Sequence, residues 1–203
     1  GQDESGTRFR FDGGDYRVPM CGEFNVRNAA MAVAAAAFAG LPADECRAGL
    51  ETFAGVARRQ ELRGEVRGVK VIDDFAHHPT AIRQALAGLR QNYPGARLWA
   101  LFEPRSNTTR RNIFQQELAE ALAGADVAVI ADVPDPGKVP EGERLDVGLL
   151  AAEIGRLGGD GRHLAGVPGI VAMVAAEARA GDVVAVLSNG GFGGIHRMLL
   201  ERL

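Results

Sequence analysis

The chain has 203 residues, of which 46% are hydrophobic and 24% charged, a composition typical of a globular protein that excludes a disordered tail. Its net charge of −3 and isoelectric point near 5.9 give no electrostatic reason to expect a nucleic acid or a membrane as partner. Residues 29–41 are apolar but too few to span a bilayer, and two cysteines, Cys21 and Cys46, are too few for a disulfide framework, so we expect a cytoplasmic protein.

The N-terminal part of the chain predicts a β-hairpin followed by two helices. Apolar residues alternate on both sides of a Gly13-Gly14 turn, namely Phe9, Phe11, Tyr16 and Val18. Residues 22–53 have helical character, with Asn25 suited to cap the first helix, Gly40 to end it and Pro42 to begin the second. This opening resembles the middle of a domain.

The remainder alternates between short apolar strands and amphipathic helices. Two short strands around Gly64 and Gly68 come first. The later strands are expected at 97–102, 127–131, near His163 and at 183–187, and the helices at 80–92, 111–123, 147–157, 170–180 and 194–203. Such alternation predicts an α/β domain with a Rossmann-like, doubly wound, mostly parallel sheet.

The run VKVIDDFAHHPT, residues 69–80, ends a buried strand in charged and aromatic side chains. Those side chains are Asp73, Asp74, Phe75, His77 and His78, and Pro79 suits the first turn of a helix. Because ligands of open α/β sheets bind beyond the carboxyl ends of strands, we expect a site here. Two simpler interpretations stay open: Asp73 is a turn residue, or the histidine pair only caps the helix or faces solvent.

The run FEPRSNTTRR, residues 102–111, follows the next strand. The guanidinium groups of Arg105, Arg110 and Arg111 suit carboxylates or phosphates. The neutral side chains of Ser106, Asn107 and Thr108 can donate hydrogen bonds. The alternative is a solvated start of a helix, but arginine there opposes the helix dipole. The run therefore favours anion binding.

The segment 188–194 follows the last strand and places Ser188 and Asn189 before glycines whose backbone N–H groups can approach a carboxylate or phosphate. The glycine spacing is not G-x-G-x-x-G, which argues against an NAD-dependent oxidoreductase. The absence of G-x-S-x-G argues against a Ser-His-Asp hydrolase, and the Asp73 to His78 spacing differs from that of a closed zinc site. Contact with a nucleotide ribose or its magnesium suits these residues better.

Four of these runs together resemble the Mur ligases of bacterial cell-wall synthesis. They are GEFNVRNAAMAV (22–33), GVARRQE (55–61), IDDFAHHPTAI (72–82) and FEPRSNTTRR (102–111). Members of that family have three domains, which bind a UDP-sugar, ATP and the incoming amino acid or peptide. The resemblance implies that residues 1–62 are the C-terminal part of the central ATP-binding domain and residues 63–203 the third domain.

Two branches of the family share the DD-aromatic-x-HHPT run. One joins UDP-N-acetylmuramate to L-alanine, and the other joins it to the tripeptide L-Ala-γ-D-Glu-meso-diaminopimelate during peptidoglycan recycling. EPRSNT followed by arginines, and the ending SNGGFGGIH, resemble the tripeptide branch. The alanine branch stays an alternative, as does a non-catalytic Rossmann-like module that binds a peptide or a nucleotide.

The resemblance also implies roles for single residues. Asn25 and Asn28 would contact the adenine, with Phe24 where other members often carry histidine. Arg59 would reach the nucleotide phosphates and Asp74 the ribose, while Phe75 would pack on the adenine. The peptide would be bound near the reacting groups by His77, Arg105 and Arg110, with further contacts from His78, Asn107, Ser188 and Asn189.

The implied chemistry uses ATP and Mg²⁺ to activate the muramoyl carboxylate as an acyl phosphate, which the amine of the peptide then attacks. These 203 residues contain no G-x-x-x-x-G-K-[ST] phosphate loop, and the resemblance places the metal ligands of the family upstream as well. We therefore expect the fragment alone to be inactive, with no metal site of its own, and to act together with the missing N-terminal and central domains.

Overall fold

The computed structural model describes residues 1–3, 6–20 and 22–203, which form two compact units. The first unit contains Gly1–Ala57 and Ala87–Pro94, and the second contains Arg58–Leu86 and Gly95–Leu203. Within the described residues, no helix is both long and apolar enough to cross a membrane.

The first unit begins with a three-stranded antiparallel sheet formed by β1 (Gln2–Asp3), β2 (Gly6–Phe11) and β3 (Gly14–Val18). The turn between β2 and β3 is Asp12-Gly13, with φ angles of 46° and 77°, and Phe11 pairs with Gly14. Two successive positive φ angles are the geometry that two-residue hairpins prefer. The predicted hairpin is present, but the predicted turn is wrong by one residue, because Asp12 takes the place assigned to Gly14.

Two helices follow, α1 (Glu23–Phe38) and α2 (Ala43–Glu51). Gly22 is the N-cap of α1, so Asn25 lies inside the first turn and is buried instead of capping. Cys46 on α2 is a buried free thiol that packs with Tyr16 and Val33 in a small core. Cys21 lies outside the described residues.

The second unit has the predicted doubly wound sheet. Its strands are β4 (Glu61–Val66), β5 (Val69–Asp74), β6 (Leu98–Phe102), β7 (Val127–Ala131), β8 (Asp160–Leu164) and β9 (Val183–Leu187), in the order β4-β5-β9-β6-β7-β8. All neighbours are parallel except β4, which pairs antiparallel with β5 at the edge. Because β9 returns to a position between β5 and β6, the last crossover runs opposite to the earlier ones and the helices cover both faces.

The helices of this α/β alternation are α3 (Pro79–Asn92), α4 (Gln115–Leu122), α5 (Val147–Arg156), α6 (Val167–Glu177) and α7 (Ile195–Arg202). β6, β7 and β9 are buried at every position, as expected of strands covered on both faces. The core on the α6 and α7 side includes Trp99, Leu101, Val186 and Leu199. Burial of these side chains supplies most of the free energy that holds the unit together.

One predicted helix begins later than expected. α4 begins at Gln115, after a short 3-10 turn over Asn112–Phe114, and not at Arg111. The side chains of Ser106 and Thr109 bond to each other's backbone N–H at 3.1 Å and hold a turn that the helical pattern does not reveal. The helix-dipole argument for Arg111 is therefore wrong, since Arg111 precedes the helix.

Candidate functional site

The parallel sheet brings together the three polar segments that the sequence singles out. Asp74 and Phe102 both lie opposite Leu187, so the carboxyl ends of β5, β6 and β9 are level with one another. The segments that follow them, 75–78, 103–111 and 188–194, therefore lie side by side at one edge of the sheet. All three belong to the second unit.

Arg58 ties two of these segments together. Its Nη2 donates to the carbonyl oxygens of Ser188 at 2.6 Å and Gly190 at 2.7 Å, and its Nε donates to Asp73 Oδ2 at 3.3 Å. Its own carbonyl accepts the N–H of Phe75 at 2.8 Å. We call Arg58 with Asp73, Ser188 and Gly190 the Arg58 brace. Arg58 has a φ angle of 61°, an unfavourable conformation that these contacts maintain.

Asp74 is almost fully buried and organises the loop after β5. Its Oδ1 accepts the Ala76 N–H at 2.8 Å, and its Oδ2 accepts the Gln60 N–H at 3.0 Å. Burial raises the pKa of Asp74, and these two hydrogen bonds and the charge of Arg59 oppose that rise. The carboxylate therefore holds residues 60 and 76 in place beside Arg59.

Phe75 lies among cations. The guanidinium carbon of Arg58 is 5.1 Å from the centre of its ring, and that of Arg59 is 5.7 Å away. The ring of His77 meets it edge-on at 5.4 Å. His77 Nδ1 lies 3.0 Å from the Phe75 carbonyl oxygen, which can only accept, so Nδ1 carries the proton and Nε2 carries the lone pair in the neutral ring.

His78 instead has a local role. Its Nδ1 accepts the N–H of Thr80 at 3.3 Å, at the start of α3, and its ring packs against Phe114 at 4.8 Å between centres. This is the capping arrangement left open by the sequence. His78 is nevertheless exposed to solvent.

The loop after β6 is held to the loop after β9 by a buried hydrogen bond. Ser188 Oγ donates to Glu103 Oε2 at 2.5 Å, and both side chains are almost fully buried. Gly190 then allows Arg105 to cross the loop, because a Cβ built at this position would lie 2.4 Å from Arg105 Cδ. Glycine at 190 is therefore needed for the observed position of Arg105, whose side chain remains half exposed.

Arg110 is only 8% exposed, and within the described part of the chain its Nε has no hydrogen-bond partner. Its Nη2 lies 4.0 Å from Asp135 Oδ2, a long and incomplete ion pair. A buried guanidinium without full pairing is costly, so this group is suited to receive an anion. Arg111 differs, because it points to Glu143 and forms an exposed ion pair with it.

Asp73 has a second neighbour that the sequence did not reveal. Its Oδ1 lies 3.3 Å from His196 Nε2 on α7, yet the two atoms form no hydrogen bond and neither has another partner among the described residues. Burial lowers the pKa of His196, and the charge of Asp73 opposes that effect.

The other predicted site residues are placed as follows. Asn107 is exposed, and Asn189 is partly buried, with an Oδ1 that lacks a partner within residues 1–3, 6–20 and 22–203. Phe24, Asn25 and Asn28 lie on α1 in the first unit, where Asn25 is buried and Asn28 exposed. Sequence reasoning missed Arg58, Glu103, Asp135 and His196.

No group of three or more His, Cys, Asp or Glu side chains within the described residues is arranged to hold a metal ion. Both oxygens of Asp74 already accept backbone N–H groups, as described above.

Comparison with known proteins relates this chain to one family of ligases. The family model described as "Mur ligase, glutamate ligase domain" matches residues 58–190. The UDP-N-acetylmuramate–L-alanyl-γ-D-glutamyl-meso-2,6-diaminoheptandioate ligase of Escherichia coli is 42% identical over 193 residues, which cover 94% of this chain and 40% of that protein. The UDP-N-acetylmuramate–L-alanine ligase of Brucella ovis is 36% identical over 179 residues, covering 87% of this chain and 38% of that protein.

A solved structure agrees. The crystal structure of a murein peptide ligase from Psychrobacter arcticus aligns with a TM-score of 0.68 at 37% identity, covering 93% of this chain and 38% of that one. The chain thus spans about 40% of the length of the curated relatives that it matches.

Proposed function

Since this chain belongs to the Mur ligase family, we propose that it is the C-terminal portion of an ATP-dependent ligase joining UDP-N-acetylmuramate to L-Ala-γ-D-Glu-meso-diaminopimelate. In this proposal residues 1–62 complete a central ATP-binding domain and residues 63–203 form the peptide-binding domain. The N-terminal domain, the rest of the central domain and the magnesium ligands come from other parts of the protein. ATP as co-substrate implies a cytoplasmic location.

The observation that carries the proposal is the buried, under-paired guanidinium of Arg110 in the loop after β6, a loop that also presents the half-exposed Arg105. L-alanine brings one carboxylate, whereas the tripeptide brings several. A buried cation that lacks a full partner gains most from a ligand that delivers a carboxylate to it. The 42% identity to the E. coli tripeptide ligase, against 36% to the B. ovis alanine ligase, supports the same choice.

We assign the nucleotide to Arg59, Asp74 and Phe75 in the second unit. Arg59 is exposed and lies near the face of Phe75, a position from which a cation can meet phosphates while the ring meets a base. Asp74 is nearly buried, so we propose that it reaches the ribose only through a remaining lone pair and otherwise fixes the loop that carries Phe75.

We assign the peptide to Arg105, Arg110, Asn107, Asn189 and His77. His77 presents Nε2 as an acceptor, which suits the amine that must lose a proton when it attacks. Ser188 is fully buried and donates to Glu103, and His78 caps α3. We therefore propose that these two residues act by holding the loops, and that the peptide is bound by their neighbours.

The proposed reaction has two steps. The muramoyl carboxylate attacks the γ-phosphorus of ATP and releases ADP, which gives an acyl phosphate. The amine of the peptide attacks the acyl carbon, loses a proton, and expels phosphate as the amide bond forms. The contribution of this chain is to position the peptide and to neutralise its carboxylates, which places the amine close to the acyl carbon.

The test is ADP release by the complete gene product that contains these residues, with ATP, magnesium and UDP-N-acetylmuramate. We expect the tripeptide to support turnover and L-alanine to support little. Turnover with L-alanine alone would move the chain to the alanine branch, and an absence of nucleotide hydrolysis with either amine would favour a binding module. The 203-residue chain is the control, and its own turnover would contradict the proposed need for the missing domains.

A further inference from the structure

The loop after β7, residues 132–146, is fastened to Arg110. The Leu145 N–H donates to the Arg110 carbonyl oxygen at 2.9 Å, and Arg111 and Arg144 form an isolated antiparallel bridge. Val139 and Leu145 are each only 4% exposed and anchor the loop in the core. These contacts fix the loop against the segment that carries Arg110.

Asp135 is the acidic residue that this loop brings to Arg110. Its φ angle is 51°, in the left-handed region that few side chains adopt, so its position is maintained at a cost in free energy. Lys138 Nζ lies 2.9 Å from Asp135 Oδ2, and Arg110 Nη2 lies 4.0 Å from the same oxygen. The hydrogen bond from Lys138 lowers the pKa of Asp135, and the charges of Arg110 and Arg105 add to that effect.

We call the group formed by Arg105, Arg110, Asp135 and Lys138 the charge cluster. Arg105 is also 3.7 Å from the buried Glu103, so the cluster keeps two cations, Arg110 and Lys138, around a single exposed carboxylate. Arg110 offers an unpaired donor, while Asp135 offers an acceptor whose present partner is an ammonium group. Such a surface is complementary to a group that carries both a carboxylate and an ammonium.

We propose that Arg110 and Asp135 bind the zwitterionic end of the third residue of the peptide, with Arg110 taking its carboxylate and Asp135 its ammonium. The inference rests on the proposed function and names the part of the substrate that this site selects. In a tripeptide ending in 2,6-diaminoheptanedioate, one amino group lies in the peptide bond, so the far end has a free amine and a free carboxylate. Lys138 then holds the ammonium position when no peptide is bound.

This assignment predicts different binding for three amino acids at the third position of the peptide. Diaminoheptanedioate offers both distal groups, lysine offers the ammonium without the carboxylate, and 2-aminoheptanedioate offers the carboxylate without the ammonium. A site that pairs each charge should prefer the first over either of the others. Asp135 therefore becomes a specificity-determining residue, distinct from the arginines that bind carboxylates in general.

The test compares kcat/KM of the complete gene product on tripeptides that carry these three residues, before and after Asp135→Asn. We expect the wild type to prefer diaminoheptanedioate over 2-aminoheptanedioate by about tenfold, which corresponds to ~1.4 kcal/mol. In Asp135→Asn that preference should disappear, because activity falls on the two peptides that carry the distal ammonium and not on the 2-aminoheptanedioate peptide. The ratio of two substrates in one preparation is independent of the fraction that is folded.

Asp132→Asn is the matched control, since Asp132 lies in the same loop but bonds His163 at 2.8 Å. It should keep the wild-type preference. An Asp135→Asn variant that loses activity equally on all three peptides, or keeps its preference, would overturn the proposal while leaving the ligase function intact. Absence of turnover by the wild type with every peptide would instead contradict the proposed function itself.

Discussion

The Arg58 brace and the charge cluster lie at the same edge of one sheet but differ in how fully their charged groups are paired and buried. In the brace, Arg58 Nη2 donates to two carbonyl oxygens and Asp73 Oδ2 accepts from Arg58 Nε, while Asp73 Oδ1 lacks a partner among the described residues. In the charge cluster, Arg110 Nε has no partner within the described residues, and the Asp135 side chain is 60% exposed. Satisfied groups hold loops in place, whereas unsatisfied or exposed charges remain available to a ligand.

This contrast predicts that the two regions fail differently when they are changed. Removing a side chain of the brace should lower stability, because a buried partner is left behind. Removing a side chain of the charge cluster should alter binding with little effect on folding. Variants in each region can therefore test this distinction.

The largest effect is expected for Arg58→Ala. The substitution leaves the nearly buried Asp73 without its cation and frees two carbonyl oxygens, so we expect the free energy of unfolding to fall by about 3 kcal/mol. Urea denaturation of the 203-residue chain measures this. The fluorescence of Trp99 reports on the second unit, since it is the single tryptophan of the chain and is fully buried.

Arg59→Ala is the matched control for that experiment. Arg59 shares the contact with Phe75 but is exposed, so its loss should change stability by no more than about 0.5 kcal/mol. Equal losses from the two variants would show that the hydrogen bonds of the brace contribute nothing, and the contrast between the regions would disappear.

A smaller effect, on binding instead of folding, is expected for Gly190→Ala. The added Cβ would lie 2.4 Å from Arg105 Cδ, so the flexible arginine must move out of the site. We expect the KM for the tripeptide to rise about tenfold, or ~1.4 kcal/mol, with thermal stability nearly unchanged. Steady-state kinetics of the complete gene product measures the change.

Gly191→Ala provides the comparison, because a Cβ at that position meets nothing within 4 Å and its φ angle is −84°. It adds the same methyl group one residue later and should leave the KM as it was. A rise in KM for both variants would mean that the loop itself, and not Arg105, is sensitive to the substitution.

The fold was predictable because its signals are local. Strands β7 and β9 have the predicted bounds, since each is a short run of apolar residues that lies next to a helical pattern. The start of α4 was not predictable, because the bonds between Ser106 and Thr109 compete with the helix and do not appear in the hydrophobic period. Short side-chain motifs override periodicity at element ends.

The site residues also fall into those that the sequence could identify and those that it could not. The sequence identified Arg105 and Arg110 from their place after an apolar strand, and the structure brings them to the expected edge of the sheet. It singled out the neighbouring Arg59 instead of Arg58, whose partners Ser188 and Gly190 lie 130 and 132 positions later. No sequence pattern singled out Asp135, because only the tertiary structure shows that its loop is fastened to Arg110. Residues that act through distant backbone groups carry no signature of their own.

The smallest effect concerns His196 on α7, whose Nε2 lies 3.3 Å from Asp73 Oδ1 of the brace. Burial lowers the pKa of His196 below its usual 6.5, and the surrounding charges are Asp73, which opposes this effect, and Arg58 and Arg63, which add to it. A histidine that is harder to protonate when folded stabilises the protein fully above pH 6.5. That contribution is lost as the pH falls through 6.5 towards the lower pKa of the folded state, because the unfolded chain takes up the proton first.

We therefore expect the melting temperature of the 203-residue chain to fall between pH 8 and pH 5 more steeply than that of His196→Gln. Groups common to both chains, such as Asp74, cancel in the difference between the two proteins. Parallel pH profiles would show that His196 is equally easy to protonate in both states. A steeper fall in the variant would show that Asp73 instead stabilises the charged imidazole, and the brace would then extend through Asp73 to α7 as an ion pair.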